Sequence, residues 1–131
     1  MDIEKRVHEW MKQADYDVET AKAMVDTGRY VYCVFMSHLA VEKALKSVYV
    51  KRLGNQAPKT HSLVHLSQTA KISLSQTLKE FIENLDEVSV PTRYPEELDK
   101  VLKMYDKPRA ELILEKTKEV IVCLKQELTK P

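Results

Sequence analysis

The stretch Ser37-His38-Leu39-Ala40-Val41-Glu42-Lys43-Ala44-Leu45-Lys46 decides the fold of this chain. It lies within residues 30–50, a segment that contains neither glycine nor proline. Apolar residues recur there at intervals that place their side chains on one face of an α-helix. The pattern predicts a long helix whose core-facing side consists of Val34, Val41, Leu45 and Val48.

A second side of this predicted helix mixes ionisable and apolar residues. His38, Glu42 and Lys46 stack on it at positions i, i+4 and i+8. Its apolar members are Phe35, Leu39 and Tyr49. A helix that is apolar on more than one side needs more than one neighbour, so we expect the ionisable side chains near a buried seam. There they must pair with other charges or face a ligand. A surface pair of Glu42 and Lys46, with His38 satisfied locally, is an alternative of equal weight.

Length and composition indicate a single all-α domain. A chain of 131 residues can build one core and is too short for two domains, so we expect one domain over residues 1–131. The chain has two glycines, five prolines and 44% hydrophobic residues. Long stretches rich in Glu, Lys, Leu and Ala favour helices, and no segment alternates in the manner of a strand.

Charge and hydropathy exclude several classes of protein. The 21 basic and 20 acidic residues give a formal net charge of +1, so no global field directs the chain to nucleic acid or to an anionic membrane. The first residues lack the apolar region of a signal peptide, and no apolar run reaches the roughly 18 residues of a spanning helix. We therefore expect a cytoplasmic protein.

No motif indicates a metal or a cofactor. Cys33 and Cys123 lack CxxC or histidine-rich spacing and lie in apolar helical patterns, which favours free thiols in the core. His61 and His65 have a zinc-binding spacing, but no third ligand follows at a useful distance. Walker, GxSxG and HExxH motifs are absent. We expect neither a metal nor a cofactor.

Glycine, proline and capping signals divide the rest of the chain. A helix stopped by Gly28 and one beginning at Tyr30 are joined by so short a turn that they must form an antiparallel hairpin. The predicted segments are residues 3–27, residues 30–51, a short helix capped by Thr60 or Ser62, a helix opened by a capping box of Ser73 and Gln76 and ending before Pro91, a stretch that can hold a helical turn at 98–104, and a helix capped by Asp106 that runs to about Leu128.

The core face predicted for the first helix contains a carboxylate. Asp17 lies between Ala14 and Ala21, where burial is costly without a cation or several hydrogen-bond donors. A rotation of the helix that lets Asp17 reach solvent is an equal alternative. The apolar residues predicted for the first helix are Ile3, Val7, Trp10, Ala14, Ala21, Met24 and Val25, and those predicted for the last are Leu112, Ile113, Thr117, Val120, Leu124 and Leu128.

Four features in chain order resemble those of the HEPN domain family. They are a first helix with Trp10 in its opening turns and Asp17 inside it, the run His38-x-x-x-Glu42-Lys43-Ala44-Leu45-Lys46, the run Thr60-His61-x-Leu63-x-x-Leu66, and Arg93-Tyr94-Pro95. Each feature alone is weak. Their combination is specific, and the resemblance covers residues 9–128.

The resemblance implies an up-and-down four-helix bundle with an additional short helix. It also implies a homodimer formed through the first helices, with a cleft suited to a nucleotide or RNA. Small stand-alone members are similar to proteins encoded beside a minimal nucleotidyltransferase, with which they form two-component toxin–antitoxin systems. A nucleotidyltransferase is therefore the partner protein that the resemblance implies.

The polar residues that have no place in the core are the predicted ligand site. Arg93 is the best candidate, because a guanidinium on a proline-bracketed loop is a preset fork for phosphate. Pairing of Arg93 with Asp17 or Glu42, as a structural clamp, is the equal alternative. For His61, a local hydrogen bond at the helix start is favoured over a catalytic role. The predicted site residues are Asp17, His38, Glu42, Lys46, His61, Arg93 and Tyr94.

The catalytic motif that the resemblance implies is missing. Many HEPN proteins are metal-independent ribonucleases that use an Arg followed four to six residues later by a His. No His follows Arg93, and no other Arg has one at this offset. Without such an acid or base, cleavage loses the rate enhancement of roughly 10²–10⁴-fold that proton transfer supplies. We therefore expect a binding module. The alternatives are a ribonuclease in which His61 or His38 lies near Arg93, and a purely structural dimer.

Overall fold

The computed structural model describes residues 1–89 and 98–131, and every regular element among them is helical. Four long helices and two short ones make up the regular structure of these residues, which confirms the predicted all-α class. The helices are α1 (Ile3–Asp26), α2 (Tyr30–Leu53), α3 (Leu63–Thr69), α4 (Gln76–Ser89), α5 (Leu98–Met104) and α6 (Lys107–Leu128). None of the helices in the described ranges is long and apolar enough to cross a membrane.

The helix ends follow mainly from capping residues in the sequence. Ser62 caps α3 by accepting a hydrogen bond from the backbone N–H of His65, and Asp106 caps α6 in the same way. The Ser73 and Gln76 capping box is wrong. The hydroxyl of Ser75 accepts from Leu78 N at 3.2 Å, and Gln76 is the first helical residue rather than the third.

Helix α2 lies at the centre of the bundle and contacts each of the other described helices. Its predicted stripe, Val34, Val41, Leu45 and Val48, is fully buried. Helices α1 and α2 form the predicted hairpin across a turn at Gly28, whose φ of +81° favours glycine. The hairpin is also joined by the Ser47 hydroxyl, which donates to the carbonyl of Val7 at 2.7 Å.

The core face of α6 agrees with the prediction at Thr117, Val120 and Leu124 but not at Leu112. Leu112 is 61% exposed, whereas Leu114 and Ile121 are buried. The buried side follows a stripe at alternating intervals of four and three residues: Ala110, Leu114, Thr117, Ile121 and Leu124. Apolar residues occur on both sides of this helix, so periodicity alone did not show that Leu112 lies on the exposed side.

The two cysteines are unpaired thiols. Cys33 is fully buried against α6, and its Sγ lies 3.8 Å from the carbonyl oxygen of Ala110. Burial raises the pKa of the Cys33 thiol to about 11, so it stays protonated at neutral pH and packs as a small apolar group. Cys123 is partly buried beside the main core.

Candidate functional site

The three stacked ionisable residues of α2 that the sequence singled out are buried. His38, Glu42 and Lys46 are 0%, 3% and 6% exposed. The prediction of a buried seam is therefore correct, and the alternative of a surface ion pair is wrong. Taking such groups out of water costs several kcal/mol for each charge unless partners compensate. The partners of these side chains decide what the seam can do.

Glu42, Lys46 and His61 form one cluster, which we call the Glu42 cluster. Lys46 Nζ donates to Glu42 Oε2 at 3.1 Å, and His61 Nδ1 lies 3.0 Å from Glu42 Oε1. The Lys46 ammonium also lies 5.4 Å from the centre of the Trp10 ring, within range of a cation–π interaction. Glu42 thus holds a buried cation on one oxygen and an imidazole on the other.

The His61 ring is positioned by Glu42 but accessible to solvent. Its side chain is 64% exposed, whereas that of Glu42 is 4% exposed. An ionised carboxylate can only accept hydrogen bonds, so the Nδ1 of His61 carries the proton that points to Glu42. In the neutral ring, Nε2 then keeps a lone pair, and in the cationic ring it becomes a second donor. Either form can meet a polar group of a ligand.

His38 belongs to a second group, centred on Asp86 of α4. His38 Nε2 lies 3.1 Å from Asp86 Oδ1, and the carboxylate also accepts from the backbone N–H groups of Leu63 at 2.9 Å and Val64 at 3.0 Å. Burial by itself raises the pKa of Asp86, but the hydrogen bonds from His38 and these two N–H groups outweigh it and hold the pKa below its ordinary value.

This group anchors the first turn of α3, directly after His61 in the chain. The Nε2 of His38 donates to the carboxylate of Asp86, and its Nδ1 has no hydrogen-bond partner among residues 1–89 and 98–131. His38 has no exposed surface, so it can act on a ligand only through its neighbours. Asp86 was not among the predicted site residues.

Asp17 is buried and paired with a cation. It is 5% exposed, and its Oδ2 lies 2.9 Å from Nζ of Lys43 on α2. The prediction of a buried carboxylate that needs a cation is confirmed, and the alternative of a rotated helix is wrong. Lys43 is the compensating charge that the sequence did not single out. The pair lies between α1 and α2.

Two predicted site residues, Arg93 and Tyr94, lie outside the described residues. Their roles, as ligand contact or as structural clamp, stay predictions. The remaining predicted residues fall into three groups by their contacts. These are the Glu42 cluster, the group around Asp86 and the pair of Asp17 with Lys43.

The accessible group of the Glu42 cluster is an imidazole. Within residues 1–89 and 98–131, no three His, Cys, Asp or Glu side chains are close enough to share a metal ion. The Glu42 carboxylate is already occupied by Lys46 and His61. What remains accessible is the imidazole, which can hydrogen-bond a phosphate oxygen or exchange a proton with it.

Comparison with known proteins gives concordant results. The family model described as "HEPN domain" matches residues 7–127. A protein of Methanocaldococcus jannaschii named "Putative toxin MJ1304" is 32% identical over 132 residues, which cover 91% of this chain and 86% of that protein.

Two solved structures share the fold. TT1696 from Thermus thermophilus has a TM-score of 0.80 at 24% identity, and the match covers 93% of this chain and 98% of the other. ST0689, an archaeal HEPN homologue, has a TM-score of 0.72 at 23% identity, and the match covers 94% of this chain and 98% of the other.

Proposed function

Since the chain belongs to the HEPN domain family, we propose that it is the nucleotide- and partner-binding component of a two-component, toxin–antitoxin-like system, and that it does not cleave RNA. A relative that is 32% identical and carries the name of a toxin supports the assignment to such a system. The proposed ligand is the phosphate of a nucleotide or of RNA.

One observation carries the proposal: a buried ion pair holds an exposed imidazole. Glu42 and Lys46 are almost inaccessible, yet they position a His61 ring that is 64% exposed. A buried ion pair is often no more stabilising than apolar residues of similar volume, so stability alone explains its presence poorly. Apolar residues could not hold an accessible imidazole in one orientation, because they have no acceptor for its N–H.

Binding without cleavage is favoured by the sequence. No Arg of this chain has a His four to six residues after it, so the acid–base pair of ribonuclease members is absent. The proposal includes a homodimer and a nucleotidyltransferase partner, both of which follow from the family resemblance. Arg93 and Tyr94 are proposed to add phosphate and ring contacts to the same ligand.

A ribonuclease is the second candidate function, and the geometry of His61 favours it. A carboxylate that holds Nδ1 while Nε2 faces outward is the arrangement by which enzymes orient a histidine for proton transfer. In this reading, His61 takes the proton from the attacking 2′-hydroxyl or gives one to the leaving oxygen. The cationic group needed to hold the scissile phosphate would be Arg93.

A binding and cleavage assay with His61→Gln tests the proposal and separates the two candidates. His65→Gln is the matched control, because His65 is also exposed and lies one turn along α3. Fluorescein-labelled hexauridylate RNA and ATP serve as probes. We expect wild-type protein and the control to bind, and His61→Gln to bind about tenfold more weakly, since a hydrogen bond to a charged group contributes about 1.5–3 kcal/mol.

The same samples are followed for RNA cleavage by gel electrophoresis. Intact RNA in every sample supports the binding module. Cleavage that is lost in His61→Gln and kept in His65→Gln establishes the ribonuclease instead. Binding of neither probe by the wild-type protein, or equal binding by His61→Gln, contradicts a ligand role for the Glu42 cluster.

A further inference from the structure

We infer that a cavity beside Lys46 binds one nucleotide unit of single-stranded RNA. The cavity has a volume of about 230 Å³ and is bounded by α1, α2 and the segment after Gly54. Its principal lining residues are Arg6, Trp10, Lys46, Gln56, Pro58 and Lys59. This inference rests on the proposed function, because it names the part of the molecule that would hold an RNA ligand.

The charge of the lining points to an anion. Three cations, Arg6, Lys46 and Lys59, face this cavity and no carboxylate does, although the chain as a whole has 21 basic and 20 acidic residues. Hollows nearby on α1 differ. One of about 510 Å³ is shared in part with this cavity, but its lining includes the carboxylates of Asp2 and Glu9.

Two of these cations are available to a ligand. Neither Arg6 nor Lys59 has a side-chain hydrogen bond or ion pair with any residue in the ranges 1–89 and 98–131, and both are exposed at the mouth. Lys46 differs, since it is buried between Glu42 and the Trp10 ring. Because Glu42 compensates the charge of Lys46, the uncompensated positive charge at the cavity is that of Arg6 and Lys59.

The remaining walls are apolar and suit a base and a sugar. Trp10 presents a partly buried aromatic ring, and Val50, Ala57 and Pro58 complete the lining, with the amide of Gln56 as a hydrogen-bonding group. An aromatic ring beside cations is the combination by which proteins hold single-stranded nucleic acid, because bases stack on it and phosphates pair with the charges. Inorganic phosphate alone would leave the apolar walls unused.

Size and position restrict the ligand further. Sites for drug-sized molecules have volumes of about 300–1,000 Å³, so this smaller cavity suits one nucleotide unit rather than a folded oligonucleotide. Lys46 belongs both to the cavity and to the Glu42 cluster. A strand whose base enters the cavity would bring a neighbouring phosphate towards His61.

The chain reports on this cavity through its own fluorescence, because Trp10 is the one tryptophan. Titration with 5′-UMP and with hexauridylate RNA is compared with titration by uridine, inorganic phosphate and a hexaglutamate peptide. The variant Arg6→Gln/Lys59→Gln is compared with Lys79→Gln/Lys103→Gln, which removes two exposed cations elsewhere. Circular dichroism melting confirms that both variants fold, as expected for changes at exposed side chains.

We expect 5′-UMP and hexauridylate to change Trp10 emission saturably. The cavity variant should weaken both at least fivefold, and it should lower the salt dependence of RNA binding by about 0.7–1.4 in log–log slope, as loss of one or two phosphate contacts requires. The control variant should match the wild type in affinity.

The failures are distinguishable. Fluorescence polarisation of a labelled strand measures RNA binding independently of Trp10. If RNA binds the wild type and the cavity variant equally and does not change Trp10 emission, this inference is overturned and the proposed function stands. Failure of both RNA and 5′-UMP to bind overturns both. If inorganic phosphate changes Trp10 emission as much as 5′-UMP does, the cavity is not specific for a nucleotide and the inference is overturned. If hexaglutamate does so, the inference is overturned in favour of an acidic peptide as the ligand.

Discussion

Replacement of Asp86 by alanine tests how α3, and with it His61, is held to the bundle. The change removes the acceptor for His38 Nε2, at 3.1 Å, and for the backbone N–H groups of Leu63 and Val64, at 2.9 and 3.0 Å. His38 has no exposed surface, so its N–H would stay unsatisfied, at a cost of about 1–3 kcal/mol. Loss of the acceptor at the start of α3 adds about 0.5–2 kcal/mol.

The two contributions predict a loss of about 1.5–5 kcal/mol in the free energy of unfolding, a large part of the 5–15 kcal/mol typical of a domain. With a urea dependence of about 2 kcal/mol per molar, the unfolding midpoint should fall by roughly 0.8–2.5 M. Circular dichroism at neutral pH measures it. Glu83→Ala is the matched control, since Glu83 lies one turn earlier on α4 and is exposed.

The difference in stability between the wild type and Asp86→Ala should depend on pH. The pKa of Asp86 is below its ordinary value in the folded protein, so its stabilisation is fully present above about pH 4, the unfolded pKa, and is lost as the pH falls through the folded pKa. Wild type and Asp86→Ala should therefore converge in stability in acid. A midpoint for Asp86→Ala within experimental error of Glu83→Ala at pH 7 would refute the anchoring role.

Three further predictions concern other contacts and the assembly. Lys43→Met should lower the free energy of unfolding by about 2–4 kcal/mol in urea melts, because it leaves the carboxylate of Asp17 buried and unpaired. The double variant with Asp17→Asn should recover part of this loss. If the losses of the two single variants simply add in the double variant, the pairing is contradicted. Arg52→Gln should lower the free energy of unfolding by about 1–3 kcal/mol, because Arg52 joins the end of α2 to the carbonyls after α3 and to Glu127. Burial raises the pKa of Glu127, but its contacts with Lys130 and Arg52 outweigh burial and hold that pKa below its ordinary value. The loss of stability should therefore shrink in acid, and a loss that does not depend on pH would argue against the ion pair. Sedimentation velocity at micromolar concentration should show a species of twice the 15.2 kDa chain mass, and a monomer alone would rule out the proposed homodimer.

The features that could be predicted from the sequence depend on local pattern. The buried stripe of α2 follows from uninterrupted apolar spacing, and the burial of Asp17 follows from its place between Ala14 and Ala21. The helix ends at Gly28 and Asp106 follow from residue types that favour those backbone positions. These signals act within a few residues, so they can be read before any tertiary contact is known.

The features that could not be predicted depend on residues distant in sequence. Asp86 lies 48 residues from His38, and His61 lies 19 residues from Glu42. No spacing rule connects such pairs, because only the packing of α3 and α4 against α2 brings them together. For Leu112 the difficulty is different, since α6 has apolar residues on two sides and packing alone selects between them.

The most direct measurement of the central claim is the imidazole ¹⁵N spectrum of the four histidines during titration with hexauridylate RNA. His61→Gln identifies the His61 signals, and His65 serves as the internal reference. If the buried Glu42–Lys46 pair presents His61 to a phosphate, the His61 Nδ1 is protonated throughout, and its Nε2 signal shifts saturably while that of His65 stays constant. RNA binding with an unshifted His61, or a His61 that shifts no more than His65, would contradict the account.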